Sequence, residues 1–548
     1  RDSAGGATAD YSGRATPVNV TLDGAANDGS SEDQGAGGRR DDVQTDGVSG
    51  SSGGDTLTGG TGDNTLTGND GPDTLAGGGG TDALYAFGEP DQFGTVDPDG
   101  DVDTLTGGDG GDTLHGDGDG ETLAGEGDGD TLRGHGGNDT LNGGEGGDDL
   151  DGGFGNDIHK GGPGADPMLN DRGADHFIGG DGMDSTSYAD YYDSEGVTVT
   201  LDGNPNDGGE GFFNGQSPYN QDWPYTASLA DRRGDNVQTE NVTGSSRQGD
   251  DLTGDDNDNV LVGAGGQVGF SGDRVTGGGG NDIVSGGDRN DSLTGGDGND
   301  TLSSGAGDDV MDGGTGAEDL DGGPGSDLVT YAGRADPLDI SLDGSANDGG
   351  AADDDGSRRD KVLAERVVGG EAGDTIAGDA APNRFEGRGG GDSLLGGGHD
   401  DTLDGGAGDD RLDGGSSLDS LSGGPGDDAL DGGPSADQLV GGDGVDSASY
   451  ATRTSAVAIT LDGAANDGDE GDEAHGSRDN VQTEDAVGGS GNDALTGSDT
   501  ANRLDGRLGD DLLRGGSADD ELRGGDGCDD LSGEDGGDVL TAAAKPTS

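Results

Sequence analysis

Apolar residues in this chain come singly and on a fixed beat. Leu57, Leu66, Leu75 and Leu84 stand nine residues apart, each separated from the next by a glycine-rich polar stretch. A lone apolar residue between two polar ones, as in Thr113-Leu114-His115, predicts a minimal strand whose middle side chain points inward and whose neighbours point out. Leu57, Leu66, Leu75 and Leu84 would form one inward column, and that column is nearly the whole core. Acidic residues keep the same time, at Asp103, Asp112, Glu121, Asp130, Asp139, Asp148, Asp157, Asp166, Asp175 and Asp184. Self-similarity at a fixed period marks a repeat architecture.

A second pattern interrupts the first. Strict apolar alternation over Val18–Gly24, Val197–Gly203, Leu338–Gly344 and Val457–Gly463 predicts four longer, half-buried strands. Each precedes an Asn-Asp-Gly turn, beginning at Asn27, Asn206, Asn347 and Asn466. Three copies then carry Val-Gln-Thr, at Val43, Val237 and Val481, and the third has Val362-Leu363-Ala364 there. From the strand leucine to the first repeat Asp the distance is 33 residues (Leu22 to Asp55), 32 (Leu342 to Asp374) and 32 (Leu461 to Asp493), but 49 from Leu201 to Asp250, where the copy carries an insertion. The chain therefore reads as four tandem units, each a longer β module leading into a repeat array: residues 1–184, 185–327, 328–446 and 447–548.

The best-formed short units are Gly107-Gly108-Asp109-Gly110-Gly111-Asp112-Thr113-Leu114-His115, Gly295 through Ser303, and Gly423-Gly424-Pro425-Gly426-Asp427-Asp428-Ala429-Leu430-Asp431. Glycines at the first, second and fourth positions permit a tight turn with positive φ and let its carbonyl oxygens converge. These units resemble the hemolysin-type, or RTX, nonapeptide G-G-x-G-x-D-x-U-x, a calcium-binding parallel β-helix repeat. The resemblance covers most of the chain, in runs keyed to Asp55 through Asp82, Asp103 through Asp184, Asp273 through Asp327, Asp374 through Asp446, and Asp493 through Asp538.

The resemblance implies an all-β fold, a calcium-bound parallel β-roll solenoid in tandem arrays broken by the four longer modules. Consecutive nonapeptides would lie on opposite sides of a flattened helix, so that turns eighteen residues apart clamp an ion between them. Asp112 would then share an ion with the turn that ends at Asp130. Calcium takes about six to eight oxygen ligands, more than one turn supplies. The implied ligands are Asp55, Asp73, Asp82, Asp103, Asp112, Asp130, Asp139, Asp148, Asp157, Asp166, Asp175 and Asp184, followed by Asp273, Asp282, Asp291, Asp300, Asp309 and Asp327. Beyond these come Asp374, Asp392, Asp401, Asp410, Asp419, Asp428, Asp437 and Asp446, and finally Asp493, Asp511, Asp520, Asp529 and Asp538.

Departures from the pattern are informative. The second nonapeptide of every array has Asn at the ligand position, at Asn64, Asn259, Asn383 and Asn502. An amide oxygen can ligate calcium without bringing charge, or an asparagine ladder can simply satisfy turn backbone. Glu121 and Glu318 bring a longer side chain to the ligand position, and Asp128, Arg289, Ser417, Ser435 and Ala518 replace the fourth-position glycine. The Asn-Asp-Gly turns, with acids such as Asp23 and Asp28, could hold extra calcium or follow ordinary turn chemistry.

Composition sharpens the picture. Hydrophobic residues are 26%, aromatics 3% and the formal net charge is -90, values that by themselves describe a disordered chain. The conflict resolves if bound dications are part of the fold, because binding energy then becomes folding energy. With 27 Lys and Arg against 117 Asp and Glu there is no basic patch for a phosphate backbone, which excludes nucleic acid. No stretch approaches the apolar length of a membrane span. The first residues lack a signal peptide's apolar segment, so a mature form or a fragment is expected. The lone cysteine, Cys528, sits at a variable turn position and reads as incidental. Weak carboxylate sites fill in the millimolar calcium outside cells, which points to a secreted or cell-surface location.

Enzyme motifs fail. The six histidines form no H-E-x-x-H helix, and Gly50-Ser51-Ser52-Gly53-Gly54 lacks the strand-to-helix setting of a nucleophile elbow. The aromatic-rich insertion, with Phe212, Phe213, Tyr219, Trp223 and Tyr225, could bind a glycan or surface protein, or pack over a gap in the solenoid. The expectation is a noncatalytic extracellular protein whose arrays, stiffened by Ca2+, make a structural, surface or adhesive element. The alternative is a secretion and folding module of a larger secreted enzyme. Ice binding is disfavoured, because turn positions three and five vary.

Overall fold

The computed structural model describes residues 8–23, 29–30, 45–87, 102–169, 175–182, 184–187, 198–200, 236–238, 241–244, 249–265, 272–351, 359–468 and 478–542. They fall into two compact units, Arg1–Ser292 and Leu293–Ser548. Every regular element among them is a β-strand, and the strands pair almost entirely in parallel as a β-solenoid.

In the first unit successive nonapeptides lie on opposite faces. Thr113–His115, Thr131–Arg133 and Asp149–Asp151 stack on one face, with Leu114 beside Leu132 and Leu132 beside Leu150. Thr104–Asp109, Thr122–Gly127 and Thr140–Glu145 stack on the other, through Leu105, Leu123 and Leu141. The leucines expected to make one column therefore make two. Leu57 and Leu75 continue into Leu105, while Leu66 and Leu84 continue into Leu114. A nine-residue step carries the chain only half-way round, so neighbours in sequence fall on opposite walls. All of these leucines are 0% exposed. The second unit repeats the plan, with Phe385 beside Leu403 on one face and Leu394 beside Leu412 on the other.

The longer modules prove to be places where the sheets change hands. In the second unit the module strand Asp339–Ser341 pairs forward with Thr375–Ala377 and starts a new sheet. Lys361–Leu363 pairs back with Asp319–Asp321 and ends an old one. Arg366–Val368 pairs with Leu328–Thr330 behind it and Arg384–Gly389 ahead, so a third sheet runs straight through. The next module does the same. Ala458–Thr460 opens a sheet on Ala494–Thr496, Asp479–Gln482 closes one on Gln438–Asp443, and Asp485–Val487 continues the sheet of Ser447–Ser449. In the first unit Thr198–Thr200, Asn236–Gln238 and Asn241–Thr243 play the three parts. Strict alternation marked the strands at Val18, Leu338 and Val457 because one face of each packs on the core: Val457 and Ile459 are buried while Ala458 is exposed.

Close stacking fixes the turns. In Gly423-Gly424-Pro425-Gly426 the second glycine has φ +111 and the fourth φ +152, a region that costs an L-residue about 1–2 kcal/mol. A methyl group on Gly426 would lie 1.8 Å from the carbonyl oxygen of Gly408, one turn below. Where the fourth glycine is replaced the backbone keeps the same hand, with φ +66 at Asp128, +104 at Arg289, +95 at Ser417, +119 at Ser435 and +78 at Ala518. The ladder of the turns above and below overrides the preference of these residues. Gly426→Ala should therefore destabilise the calcium-loaded protein by about 1–3 kcal/mol or more, through backbone it cannot displace. Gly333→Ala, with nothing within 4 Å of its added methyl, should stay within about 0.5 kcal/mol of the parent in the same denaturant titration.

Candidate metal centre

Each repeat acid ends its turn and sits beneath it, just ahead of the strand. Most are buried as deeply as the leucines: Asp112 and Asp410 are 2% exposed, and Asp148 and Asp327 are 0% exposed. Asp529 and Asp538, in the last turns, are half-buried. A buried carboxylate must find partners, and the first partner is main chain. The N–H of Asp112 donates to Oδ1 of Asp130 at 2.7 Å, and the N–H of Asp130 donates to Oδ1 of Asp148 at 2.8 Å.

The same bond links the predicted residues into ladders. One runs Asp55, Asp73, Asp103; another Asp82, Asp112, Asp130, Asp148, Asp166, Asp184; a third Glu121, Asp139, Asp157, Asp175. Asp250, Asp273 and Asp291 form a short one, Asn259 leads to Asp282, and Asp309 to Asp327. In the second unit the runs are Asp374, Asp392, Asp410, Asp428, Asp446; Asn383, Asp401, Asp419, Asp437; Asp493, Asp511, Asp529; and Asn502, Asp520, Asp538. Asp300 is buried at the same position. Two ladder bonds, Asp73 to Asp103 and Asp82 to Asp112, span thirty residues instead of eighteen, so the register survives the additional residues between these turns.

The second carboxylate oxygen behaves differently. At Asp112, Asp130 and Asp148, and at Asp392, Asp401, Asp410, Asp419, Asp428, Asp446, Asp511 and Asp520, Oδ2 is buried and accepts no hydrogen bond. In each of these turns the residue four before the acid has positive φ, as at Gly108 (+123), Glu126 (+83), Gly397 (+103) and Gly406 (+100). The oxygen points to the space over the first glycine of its own turn. A methyl group built on Gly396 would lie 2.4 Å from Oδ2 of Asp401 and 2.5 Å from the carbonyl oxygen of Gly414, one turn on. On Gly125 the corresponding contacts are 2.1 Å to Asp130 Oδ2 and 2.6 Å to Gly143 O. Carboxylate and carbonyl oxygens from stacked turns thus converge where any side chain would block them.

Burial raises the proton affinity of these acids. It lifts Asp401 to about 7, with the neighbouring Asp419 adding to the effect and the hydrogen bond from the Asn383 amide opposing it. Asp410 reaches about 7 and Asp273 about 8 from the same leading cause. Glu121 and Asp139, which are close and deeply placed, are both raised, again chiefly by burial. Among the described residues no three His, Cys, Asp or Glu side chains gather into a metal-ligating group. A cation here would be held by carboxylates together with main-chain carbonyls, an all-oxygen donor set that suits a hard ion such as calcium. A buried acid with one unsatisfied oxygen, repeated at Asp112, Asp130 and Asp148 and again from Asp392 to Asp428, is what such an ion would relieve.

Three of the expected ligands stand apart. Both oxygens of Asp55, Asp374 and Asp493 accept hydrogen bonds from backbone amides. The asparagines at the second position of the arrays accept the amide four residues before them, from Gly60, Asp255, Asp379 and Ser498. Sequence reasoning singled out the Asn-Asp-Gly turns that hold Asp348 and Asp467 but not the strands those acids tie together, and it missed Asp360 and Asp479. Asp348 accepts from Ser341 and Val362, and Asp360 from Glu318 and the Tyr331 hydroxyl, and Asp467 and Asp479 repeat the arrangement. The recurrence of Tyr331-x-x-Arg334 and Tyr450-x-x-Arg453 was the signal that could have found them. The aromatic segment Phe212–Tyr225 lies outside the described residues.

The family model for the RTX calcium-binding nonapeptide repeat (4 copies) matches residues 49–84, 99–132, 124–158, 276–311, 294–329, 386–421, 413–448, 483–513 and 506–540. No curated protein matches the chain. The matched segments hold the turns with buried, unsatisfied oxygens.

The raised acids set a pH dependence for the metal-free chain. A carboxylate near 3.9 when unfolded and near 7 when folded binds more protons in the folded state between those values, so stability falls as pH rises through that window. Metal-stripped protein should show more β structure by circular dichroism at pH 4.5 than at pH 7.5. Greater order at pH 7.5 would contradict the burial argument.

Proposed function

The chain is a protein of RTX calcium-binding nonapeptide repeats, and we propose that it works as a noncatalytic, secreted or surface-attached element whose arrays are set in shape by calcium outside the cell. The observation that carries this reading is the repeated buried Oδ2 with no hydrogen bond, turn after turn, in a chain of net charge -90. The acids with that oxygen, from Asp82, Asp112, Asp130 and Asp148 to Asp511, Asp520 and Asp529, would hold the ions with the carbonyls of adjoining turns. Calcium supplies positive charge and a demand for many oxygens. The residues supply the rest: the 18-residue stack brings two turns together, the first glycine leaves room, and the ladder bond from the preceding acid's amide aims each carboxylate. About two charges are offset per ion, so filling the arrays would remove most of the self-repulsion that opposes compaction.

Under this reading the four sequence units, 1–184, 185–327, 328–446 and 447–548, are successive modules each leading into an array, and a glycan or surface protein would dock at the Phe212–Tyr225 segment. Binding of surface extracts that survives replacement of Phe212, Phe213, Trp223 and Tyr225 by serine would remove that segment from the proposal.

Chelation at pH 7.5 should abolish compact β structure, and millimolar calcium should restore it cooperatively, read by circular dichroism and hydrodynamic radius. A calcium-free protein as compact as the loaded one at pH 7.5 would overturn the reading, as would hydrolysis of a substrate by this chain alone.

A further inference from the structure

The buried acids divide into two chemical classes, and the division follows position. Inside the arrays Asp401, Asp410 and Asp419 each have one oxygen on a backbone amide and one unsatisfied. At the junctions between arrays both oxygens are taken. Asp374 accepts from Leu338 at 2.9 Å and from Gly370 at 2.7 Å, and Asp493 accepts from Val457 at 2.9 Å and from Gly489 at 2.7 Å. Asp348 holds Ser341 and Val362, and Asp467 holds Thr460 and Val481, so one carboxylate ties the strand that opens a sheet to the strand that closes another.

The switch between classes is the residue four before the acid. Gly397 and Gly406 have φ +103 and +100, and no amide reaches Asp401 or Asp410 Oδ2. Gly370 and Gly489 lie outside that left-handed region, and their N–H groups fall on the acid. At the next turn an asparagine takes the acid's place. Asn502 Oδ1 accepts the Ser498 amide at 2.6 Å, and its Nδ2 donates to Glu484 O at 2.6 Å, a bond no carboxylate could make. A guanidinium completes the joint: Arg334 donates to Gly314 O and Arg453 to Gly433 O, each lying over the ring of Tyr331 or Tyr450.

We propose that these junctions bind no calcium: amides, one asparagine and one arginine do there what the ion does within the arrays, so that the leading turns at Asp374 and Asp493 are permanent hydrogen-bonded joints between calcium-dependent segments. The inference rests on the reading of the arrays as calcium sites. A carboxylate whose lone pairs already serve two amides gains least from an ion and would have to break those bonds to ligate it.

The test uses the full chain saturated with calcium. Bound calcium is counted by equilibrium dialysis for the parent, Asp374→Asn, Asp493→Asn and Asp410→Asn, and crystals exchanged with terbium are read by anomalous scattering. Asp410→Asn should lose about one or two ions, because each ion is shared between turns. Asp374→Asn and Asp493→Asn should keep the parental count while melting at a lower temperature. The anomalous map should show ions beside Asp401, Asp410 and Asp419 and none beside Asp348, Asp374, Asp467 or Asp493. Ions beside those four, with ions also in the arrays, would overturn the inference and leave the proposed function standing. No ion beside Asp410, and an unchanged count in Asp410→Asn, would overturn the proposed function itself.

Discussion

The arrays of this structure depend on placing carboxylates such as Asp112, Asp130, Asp401 and Asp410 under successive stacked turns with one oxygen satisfied and one not. A folded chain ordinarily avoids such groups, because an uncompensated buried charge costs more than a leucine returns. Here the arrangement recurs along both units, and the apolar core is two columns one side chain wide. The leucines choose which face is inside. They are too few to hold a chain with 117 acidic residues in so close a stack. What decides whether the stack forms is the fate of the second oxygen.

That oxygen also explains the glycines in a way that turn propensity alone does not. The first glycine of a turn such as Gly396 is not needed for its dihedral angles, since its φ lies outside the left-handed region. It is needed because the acid's oxygen and a carbonyl from the adjoining turn occupy the space its side chain would take. The second and fourth glycines answer to a different demand, positive φ with a carbonyl from the turn below where a Cβ would stand. Glu126, His135 and Arg388 hold positive φ at second positions, so the stack can impose the conformation, whereas every first position quoted above is glycine.

The nine-residue period, the all-β class and the inward leucines were legible because a solenoid must repeat its inward residue at the period of its backbone. The acids were legible for the same reason, and the structure brings Asp112 and Asp130 together as the resemblance implied. The two-column core followed from the resemblance, which puts consecutive nonapeptides on opposite sides, and not from the period, because a periodicity of nine does not say how far round the helix nine residues travel. The distinction between Asp374 and Asp392, which share a residue type and a motif position, was not legible. It turns on the backbone angle four residues earlier, and glycine at Gly370 is equally at home with either hand. The modules were recognised as strands, but their part in exchanging sheets depends on pairings between residues some forty apart, such as Asp319 with Lys361.

The exchange of sheets has a mechanical consequence. A mason staggers the vertical joints between courses so that no crack can run through a wall in one line. In the second unit the sheet ending at Lys361–Leu363 and the sheet beginning at Asp339–Ser341 are both bridged by a third whose hydrogen bonds continue unbroken from Leu328–Thr330 to Arg384–Gly389. The seam at the following module falls on a different sheet. A tensile load along the strand stack therefore meets no cross-section at which every sheet stops, and parting the unit at a junction means tearing an intact ladder.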